Sequence, residues 1–293
     1  MTQLCLSNPF GAAIHTTGAA IYHAAVVSST MDEARLLAEQ GLPHGTVISA
    51  DFQEAGRGRV RGRPWLADRG KNLFFTILLR YPKIEDIPQA ITLKTGLAIA
   101  EAVEDFAPPL AGMVQVKWPN DIMIGSGGSA RKIAGILTEG DGTRVFIGIG
   151  VNVAQTEFPP ELRSRAGSIA LALGSVGSGA PDQLSAESRF TLLEKILVRL
   201  YEELETAEDG GSRDSWRDRL TERLYRRGEQ VCFVEGAADS GKEVWGRLAG
   251  IGDGGELLIV PDGEAAARAF VTGELRIFNH EPHELHEQKG KVL

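Results

Sequence analysis

The sequence predicts an α+β fold in which a mixed β-sheet carries helices on one face and a small β-barrel follows near the C-terminus. Apolar, β-prone segments alternate with helical stretches between positions 21 and 153. Short strands broken by glycine begin at Gly228, and this pattern is typical of a small barrel. These changes divide the chain into an N-terminal extension, a main domain, a C-terminal domain and a tail expected to be disordered, at residues 1–20, 21–227, 228–278 and 279–293.

The main domain is expected to begin with a strand, a cap and a helix. Residues 21–27 are apolar and β-prone, and the Ser-Ser-Thr that follows can cap a helix over residues 31–40. A longer helix is predicted over residues 88–106, ahead of Pro108 and Pro109. The remaining strands are predicted at residues 46–52, 72–80, 114–117, 122–124, 132–139 and 145–153, with a glycine-rich turn at 125–130.

The second half of the chain changes from helix to strand. Ser185 is expected to cap a helix in which leucines recur at helical spacing. The barrel strands are predicted at residues 230–235, 243–251, 256–260 and 269–272.

Composition indicates an ordinary globular protein. Of the 293 residues, 43% are hydrophobic and 24% charged, and the formal net charge of −8 argues against general nucleic-acid affinity. The cysteines Cys5 and Cys232 are too few for a disulfide framework, which favours a reducing compartment. The first 34 residues contain no Lys or Arg, and no apolar run reaches bilayer length. We therefore expect a cytoplasmic protein without membrane association.

The most informative segment alternates glycine with arginine from Gly56 to Arg63 and ends on Trp65. Glycine lets the backbone approach an anion, and arginine offers a planar fork of donors for carboxylate or phosphate. The segment therefore predicts a loop that binds a small anion. The alternative is a solvated or RNA-binding Gly/Arg loop.

Three further segments follow in order: Lys-Trp-Pro-Asn-Asp at 117–121, Lys-Ile-Ala-Gly-Ile-Leu at 132–137 and Ile-Gly-Ile-Gly-Val-Asn-Val at 147–153. Together with the Gly/Arg segment they resemble biotin–protein ligases, the biotin–[acetyl-CoA-carboxylase] ligases. The resemblance implies a class II synthetase-like catalytic domain and an SH3-like C-terminal barrel. The first 20 residues are too short for the DNA-binding domain that some family members carry, so no DNA partner is expected.

The resemblance also implies a reaction. Biotin is activated with ATP and Mg²⁺ to biotinyl-5′-AMP and then attached to a lysine of a biotin carboxyl carrier domain of a carboxylase. The biotin-binding residues would be Ser29, Thr30, Gln53, Gly56, Arg57, Lys132 and Gly135. The ATP- and adenylate-binding residues would be Arg59, Trp65, Asn120, Asp121, Lys132 and Asn152, with Mg²⁺ near Asp121. A homodimer is left open.

Three of these residues are expected to be catalytic. By resemblance, Arg57 meets the biotin carboxylate, Arg59 orders the loop over the adenylate and Lys132 neutralises carboxylate and phosphate oxygens in the transition state. Some of these residues also have a purely structural interpretation. A lysine at a strand start, such as Lys132, is usually a surface residue. A Ser-Thr pair at a helix start, such as Ser29 and Thr30, is usually a cap.

The sequence departs from the family pattern at three places, one of which is a longer span between Asp121 and Lys132 that suggests a lengthened hairpin. One extra residue, at Val60-Arg61, lengthens the Gly/Arg segment after Arg59, and Met31 stands where the family usually has Asn. Two other functions stay open: a lipoate or octanoate ligase or transferase of the same fold, and an RNA-binding module built on the Gly/Arg segment. The histidines at 280, 283 and 286 could bind a metal if they were helical, but Pro282 and the charged tail favour a disordered terminus.

Overall fold

The computed structural model describes most of the chain, namely residues 20–59, 65, 67–178, 184, 186–205, 215–236 and 241–276. Its helices are α1 (Thr30–Glu39), α2 (Ile91–Phe106), α3 (Ile169–Ser175), α4 (Ala186–Glu205) and α5 (Trp216–Glu222). Strands of the first half are β1 (Ile21–Ala24), β2 (Thr46–Ala50), β3 (Leu73–Arg80), β4 (Val114–Lys117), β5 (Asp121–Ile124), β6 (Arg131–Asp141) and β7 (Arg144–Val151). Strands of the C-terminal part are β8 (Gln230–Glu235), β9 (Lys242–Ile251), β10 (Leu257–Pro261), β11 (Arg268–Phe270) and β12 (Gly273–Leu275).

The larger sheet has seven strands in the order β1-β2-β3-β7-β6-β5-β4. The β1–β2 pair is parallel and the other neighbouring pairs are antiparallel, which confirms the predicted mixed sheet. Directly paired residues share one face of a sheet. One such set crosses all seven strands, and we call it the transverse row: Ala24, Ala50, Phe74, Gly150, Gly135, Asp121 and Lys117.

Helices cover both faces of this sheet. On one face α2 and α4 bury the main core, to which Val47 and Ile77 belong. On the other face Met31 of α1 packs with Ile48 and Leu78. The sequence predicted helices on one face, and α1 is the exception. The reason is that successive residues of β2 and β3 are nearly all buried, so both faces of these strands need apolar cover.

The C-terminal strands form a second, five-stranded antiparallel sheet in the order β11-β10-β9-β8-β12. This confirms a small β unit, while its closure into an SH3-like barrel stays a prediction. Its core is continuous with that of the larger sheet. The Trp118 indole N–H donates to the Gly255 carbonyl at 3.0 Å, and its ring contacts Phe233 edge-on. The second sheet is therefore packed against the β4–β5 hairpin.

Some strands and helices begin or end at residues other than the predicted ones. The first strand ends at Ala24, since Val27 makes only an isolated bridge with Gln53. The second helix begins at Ile91, because Ala90 adopts a left-handed conformation with φ of 53°. The first 19 residues, Ser185 and the histidine-containing tail lie outside the described residues. Within the described part, no helix combines the length and apolar character that crossing a bilayer requires.

Candidate active site

The middle of the transverse row forms the floor of an open cavity of about 520 Å³ on the α1 face of the large sheet. Most residues that the sequence proposed for the site meet here, namely Ser29, Thr30, Gln53, Arg57, Arg59, Trp65, Asn120, Lys132 and Gly135. Gly56, Asp121 and Asn152 lie beside the cavity rather than on its wall. Gly56 accepts a hydrogen bond from the Trp65 backbone N–H at 3.0 Å and so fixes the closing end of the Gly/Arg loop.

An indole covers the two glycines at the centre of the transverse row. A Cβ on Gly135 would lie 2.8 Å from Cζ3 of Trp65, and a Cβ on Gly150 would lie 3.1 Å from its Cε2. Real Cβ atoms essentially never show the first distance, and the second is tighter than nine in ten of their contacts. Gly135 therefore has to be glycine for Trp65 to keep this position, and a side chain at Gly150 would press on the same ring, which forms an aromatic wall of the cavity.

A group of uncharged polar side chains occupies one end of the cavity, and we call Ser29, Thr30, Gln53 and Thr76 the polar cluster. The backbone N–H and the hydroxyl of Thr30 donate to Gln53 Oε1 at 2.8 and 3.0 Å, and Thr76 donates to the Thr30 hydroxyl at 2.9 Å. Two donors already satisfy the Gln53 carbonyl oxygen, so its amide nitrogen remains as the donor for a ligand.

Ser29 occupies the N-cap position of α1, as the purely structural interpretation expected. Its hydroxyl, however, makes no capping hydrogen bond, although the residue is buried. A buried hydroxyl normally has a partner. Ser29 lines the cavity, so a ligand can supply that partner.

Charged side chains gather at the opposite end of the transverse row, and we call Arg59, Lys117, Asp121, Lys132 and Glu274 the charged cluster. Lys132 Nζ lies 2.6 Å from Asp121 Oδ1 and 5.2 Å from the centre of the Trp65 ring. Arg59 donates to the Gly273 carbonyl at 3.4 Å and lies 4.0 Å from Glu274 Oε2. The C-terminal sheet therefore contributes a carboxylate and a backbone carbonyl to this end.

Arg57 lies in the cavity wall but already has an anionic partner. Its guanidinium makes two hydrogen bonds to the Asp32 carboxylate in the first turn of α1, at 2.7 and 3.0 Å. The hydrogen bond with Asp32 raises the pKa of Arg57 above its ordinary value. A ligand carboxylate that uses the Nη1–Nη2 edge of Arg57 must therefore displace Asp32.

The two asparagines are held by their amide N–H groups. Asn120 donates to the Ile136 carbonyl at 2.8 Å, and Asn152 donates to the Gly167 carbonyl at 2.9 Å. The Oδ1 of Asn152 is buried without a partner among the described residues. A ligand N–H, such as an exocyclic amine, would satisfy this oxygen.

Magnesium was expected near Asp121. No group of three or more His, Cys, Asp or Glu side chains suited to a metal occurs in the described ranges. Asp121 and the neighbouring Asn120 would still suit Mg²⁺ that arrives on phosphates, because Mg²⁺ commonly takes one or two carboxylates and completes its shell with phosphate oxygens and water. Such a cation would add positive charge beside Lys132.

Three residues of the site were not identified from the sequence. Thr76 had a usable signal, since it is the only polar residue inside the apolar strand β3 before Arg80. Lys117 begins the Lys-Trp-Pro-Asn-Asp motif, but the motif did not indicate a binding or catalytic role for it. The pairing of Asp32 with Arg57 spans 25 positions and leaves no local signal.

Comparisons with known proteins identify the family of this chain. A sequence model described as the Biotin/lipoate A/B protein ligase family matches residues 23–153. The chain is 31% identical over 236 residues to the biotin--[acetyl-CoA-carboxylase] ligase of Paracoccus denitrificans, which covers 79% of this chain and 90% of that protein. It is 40% identical over 163 residues to the bifunctional ligase/repressor BirA of Bacillus subtilis and spans about half the length of that relative.

Solved structures agree. The biotin protein ligase from Aquifex aeolicus in complex with biotin and ATP superposes with a TM-score of 0.66 at 26% identity, covering 87% of this chain and 97% of that one. The resemblance seen in four short motifs thus extends over nearly the whole fold, and the chain belongs to the biotin/lipoate A/B protein ligase family as a relative of the biotin protein ligases.

Proposed function

We propose that this protein is a biotin protein ligase, which activates biotin with ATP to biotinyl-5′-AMP and attaches it to a lysine of a biotin carboxyl carrier domain. One observation carries the proposal: a single cavity is lined by the polar cluster, by the Trp65 indole and by Arg59 and Lys132 of the charged cluster. A molecule with a polar uncharged ring at one end and a carboxylate at the other fits that sequence of environments.

The polar cluster would bind the ureido ring of biotin. The Gln53 amide nitrogen is the remaining donor after Thr30 has satisfied its carbonyl oxygen, so it can donate to the ureido oxygen. Ser29 has an uncommitted hydroxyl that can donate or accept. Because Thr76 and Thr30 hold this cluster in place before a ligand arrives, little ordering is needed on binding.

The charged cluster would serve adenylation. A carboxylate oxygen of biotin attacks the α-phosphorus of ATP, a new O–P bond forms, and the bond to the β-phosphate oxygen breaks with release of pyrophosphate. Two anions must come together, so cations fixed in advance stabilise the transition state. Lys132 has the best position for this role, since it lies between Trp65 and Asp121.

Transfer would follow at the same place. The amine of the carrier lysine attacks the acyl carbon, a C–N bond forms, and AMP leaves with the electron pair of the acyl–oxygen bond. Asn152 Oδ1 would accept a hydrogen bond from the adenine amine and hold the nucleotide during this step. The cytoplasm remains the expected location of the reaction, and the identity of the carrier is part of the proposal.

Pyrophosphate release tests the proposal directly. The full-length protein, ATP and Mg²⁺ should release pyrophosphate only when biotin is added, and a carrier domain should then gain one biotinyl group on a lysine. The same assay with octanoate or lipoate is the comparison. Faster turnover of either acid than of biotin would replace the proposal by the lipoate-type alternative.

The structure favours biotin over a linear acid. An aliphatic chain would cover the Gln53 amide and the Ser29 hydroxyl without bonding to them, which costs roughly 1–3 kcal/mol for each buried group. The RNA-binding alternative is also disfavoured, because Arg57 and Arg59 bond to Asp32 and Gly273 within the fold. Retention of RNA by the protein at physiological salt would support the RNA-binding alternative.

A further inference from the structure

Lys117 is a buried lysine whose position is not explained by the fold. It is the last residue of β4, it ends the transverse row, and only 4% of it is exposed. Within the described part of the chain, its ammonium group makes no hydrogen bond or ion pair. Asp121, directly opposite on β5, instead pairs with Lys132 at 2.6 Å.

The charges around Lys117 do not balance. Burial lowers the pKa of Lys117 below its ordinary value; Asp121 and Glu274 favour the charged form, whereas Lys132 and Arg59 oppose it. Removing a charge from water without a partner costs several kcal/mol. The charged cluster therefore has three cations and two carboxylates, an arrangement that an additional anion would stabilise.

A second buried lysine shows the structural arrangement that Lys117 lacks. Lys94 of α2 is 2% exposed, lies 5.5 Å from the centre of the Trp216 ring, and has the Glu203 carboxylate close enough to influence its charge. Lys94 is thus integrated in a helix-packing network on the α2 face of the sheet, opposite the face that carries the cavity. Lys117 belongs instead to the charged cluster, of which Arg59 and Lys132 line the cavity wall.

We propose that Lys117 is a further substrate-binding residue, whose ammonium group binds the phosphate oxygens that leave as pyrophosphate. This inference rests on the proposed ligase function. As the bond between the α-phosphorus and the bridging oxygen breaks, the electron pair stays on the pyrophosphate, and negative charge grows on its oxygens. A cation that has no other partner gains the most from that charge. The role of Lys117 is therefore confined to the first half-reaction.

The test uses the full-length protein and two neutral variants, Lys117→Met and Lys117→Gln. Inorganic pyrophosphate with Mg²⁺ is the probe, and the melting temperature is the readout. Pyrophosphate should raise the melting temperature of the unchanged protein and should have little effect on either variant. Without pyrophosphate, Lys117→Met should melt no lower than the unchanged protein, since an unpaired buried charge has been removed.

Kinetics provide the second readout. In the Lys117 variants, the KM for ATP should rise or the rate of biotin-dependent pyrophosphate release should fall by about 10- to 100-fold. This is the effect of losing one charge-assisted hydrogen bond. Biotin affinity and acyl transfer from separately supplied biotinyl-5′-AMP should stay within about twofold, because neither step involves pyrophosphate. Lys94→Met is the matched control, which should lose stability but keep the pyrophosphate response of its folded fraction.

Three results would overturn the inference: no pyrophosphate effect on the unchanged protein, an equal effect on both Lys117 variants, or failure of both variants to fold. A further outcome distinguishes failure of this inference from failure of the proposed ligase function. If pyrophosphate stabilises the protein through Lys117 but biotin triggers no pyrophosphate release, the anion site stands and the ligase proposal fails.

Discussion

The polar cluster and the charged cluster solve different problems. In the polar cluster, hydrogen bonds among Thr30, Gln53 and Thr76 are complete before any ligand binds. In the charged cluster, Lys132 pairs with Asp121, whereas buried Lys117 makes no ion pair with any residue that the structure describes. The comparison suggests that recognition depends on groups that are already ordered, whereas catalysis depends on charge that the reaction itself satisfies.

Substitutions in the two clusters are therefore expected to have different effects. Changes in the charged cluster should affect adenylation and leave biotin affinity nearly unchanged. Changes in the polar cluster should affect biotin affinity and leave the nucleotide steps nearly unchanged. The glycines between the two ends should affect both.

The largest effect is expected for Lys132→Ala. Loss of a cation that meets developing charge should lower the rate of adenylation by about 10²–10³-fold, or ~2–4 kcal/mol, by analogy with removal of an oxyanion-hole donor. Single-turnover formation of biotinyl-5′-AMP measures this rate. Lys71→Ala is the control, because Lys71 is about half exposed and forms a surface ion pair with Asp68. Near-normal adenylation by Lys132→Ala would remove Lys132 from the catalytic residues.

The next effect is expected for Gly135→Ala. The added methyl group would collide with the Trp65 ring and displace it from the sheet, which should weaken biotinyl-adenylate binding by roughly 1–3 kcal/mol, a typical overpacking cost. Gly140→Ala is a control on the same strand, since a Cβ at Gly140 meets nothing within 4 Å. Equal affinities of the two variants, measured by calorimetry, would show that the indole wall is unimportant.

A smaller effect is expected for Thr76→Val, which keeps the shape of the side chain and removes its hydroxyl. The Thr30 hydroxyl then loses a donor, and the affinity for biotin should fall by about 1 kcal/mol, or roughly fivefold to tenfold. The KM for ATP should not change. Thr95→Val makes the same substitution in α2, where the hydroxyl bonds to the Ile91 carbonyl, and should alter neither constant. A change in the KM for ATP with Thr76→Val would contradict the separation of the two ends.

The smallest effect is expected for Asp32→Asn. The Asp32–Arg57 pair is about half exposed, so it should contribute only ~0.2–1 kcal/mol, and its loss should free Arg57 and tighten biotin binding by at most about fivefold. Glu39→Gln, which breaks an exposed pair between α1 and Arg144, is the control. Weaker biotin binding by Asp32→Asn would mean that Asp32 positions Arg57 for the ligand instead of competing with it.

Local patterns in the sequence were sufficient for much of this picture. The strand and helix order, the mixed sheet and most cavity residues followed from hydrophobic periodicity and four motifs. The position of α1 on the opposite face did not follow, because a continuous apolar strand such as β3 does not reveal which element covers each side. The approach of Trp65 to both Gly135 and Gly150 also depends on the register that pairs these two glycines, which local patterns do not give.

Contacts between residues far apart in the sequence could not be predicted from local patterns either. The Arg59 contact with Gly273 spans 214 positions and joins the Gly/Arg loop to the C-terminal sheet. A chain ending near residue 227 would lack the whole C-terminal sheet. The shared core and the Trp118–Gly255 hydrogen bond show that such a chain would lose part of its core packing, so point substitutions are the better test of the C-terminal sheet.

The central claim is that the transverse row orders the substrate, with the ureido ring at the polar cluster and the phosphate at the charged cluster. A crystal structure of the full-length protein with a non-hydrolysable biotinyl-5′-AMP analogue tests it most directly. The account predicts ureido atoms within hydrogen-bond distance of Gln53 and Ser29, and phosphate oxygens within reach of Lys132. An analogue bound in the opposite direction, or outside this cavity, would contradict the account.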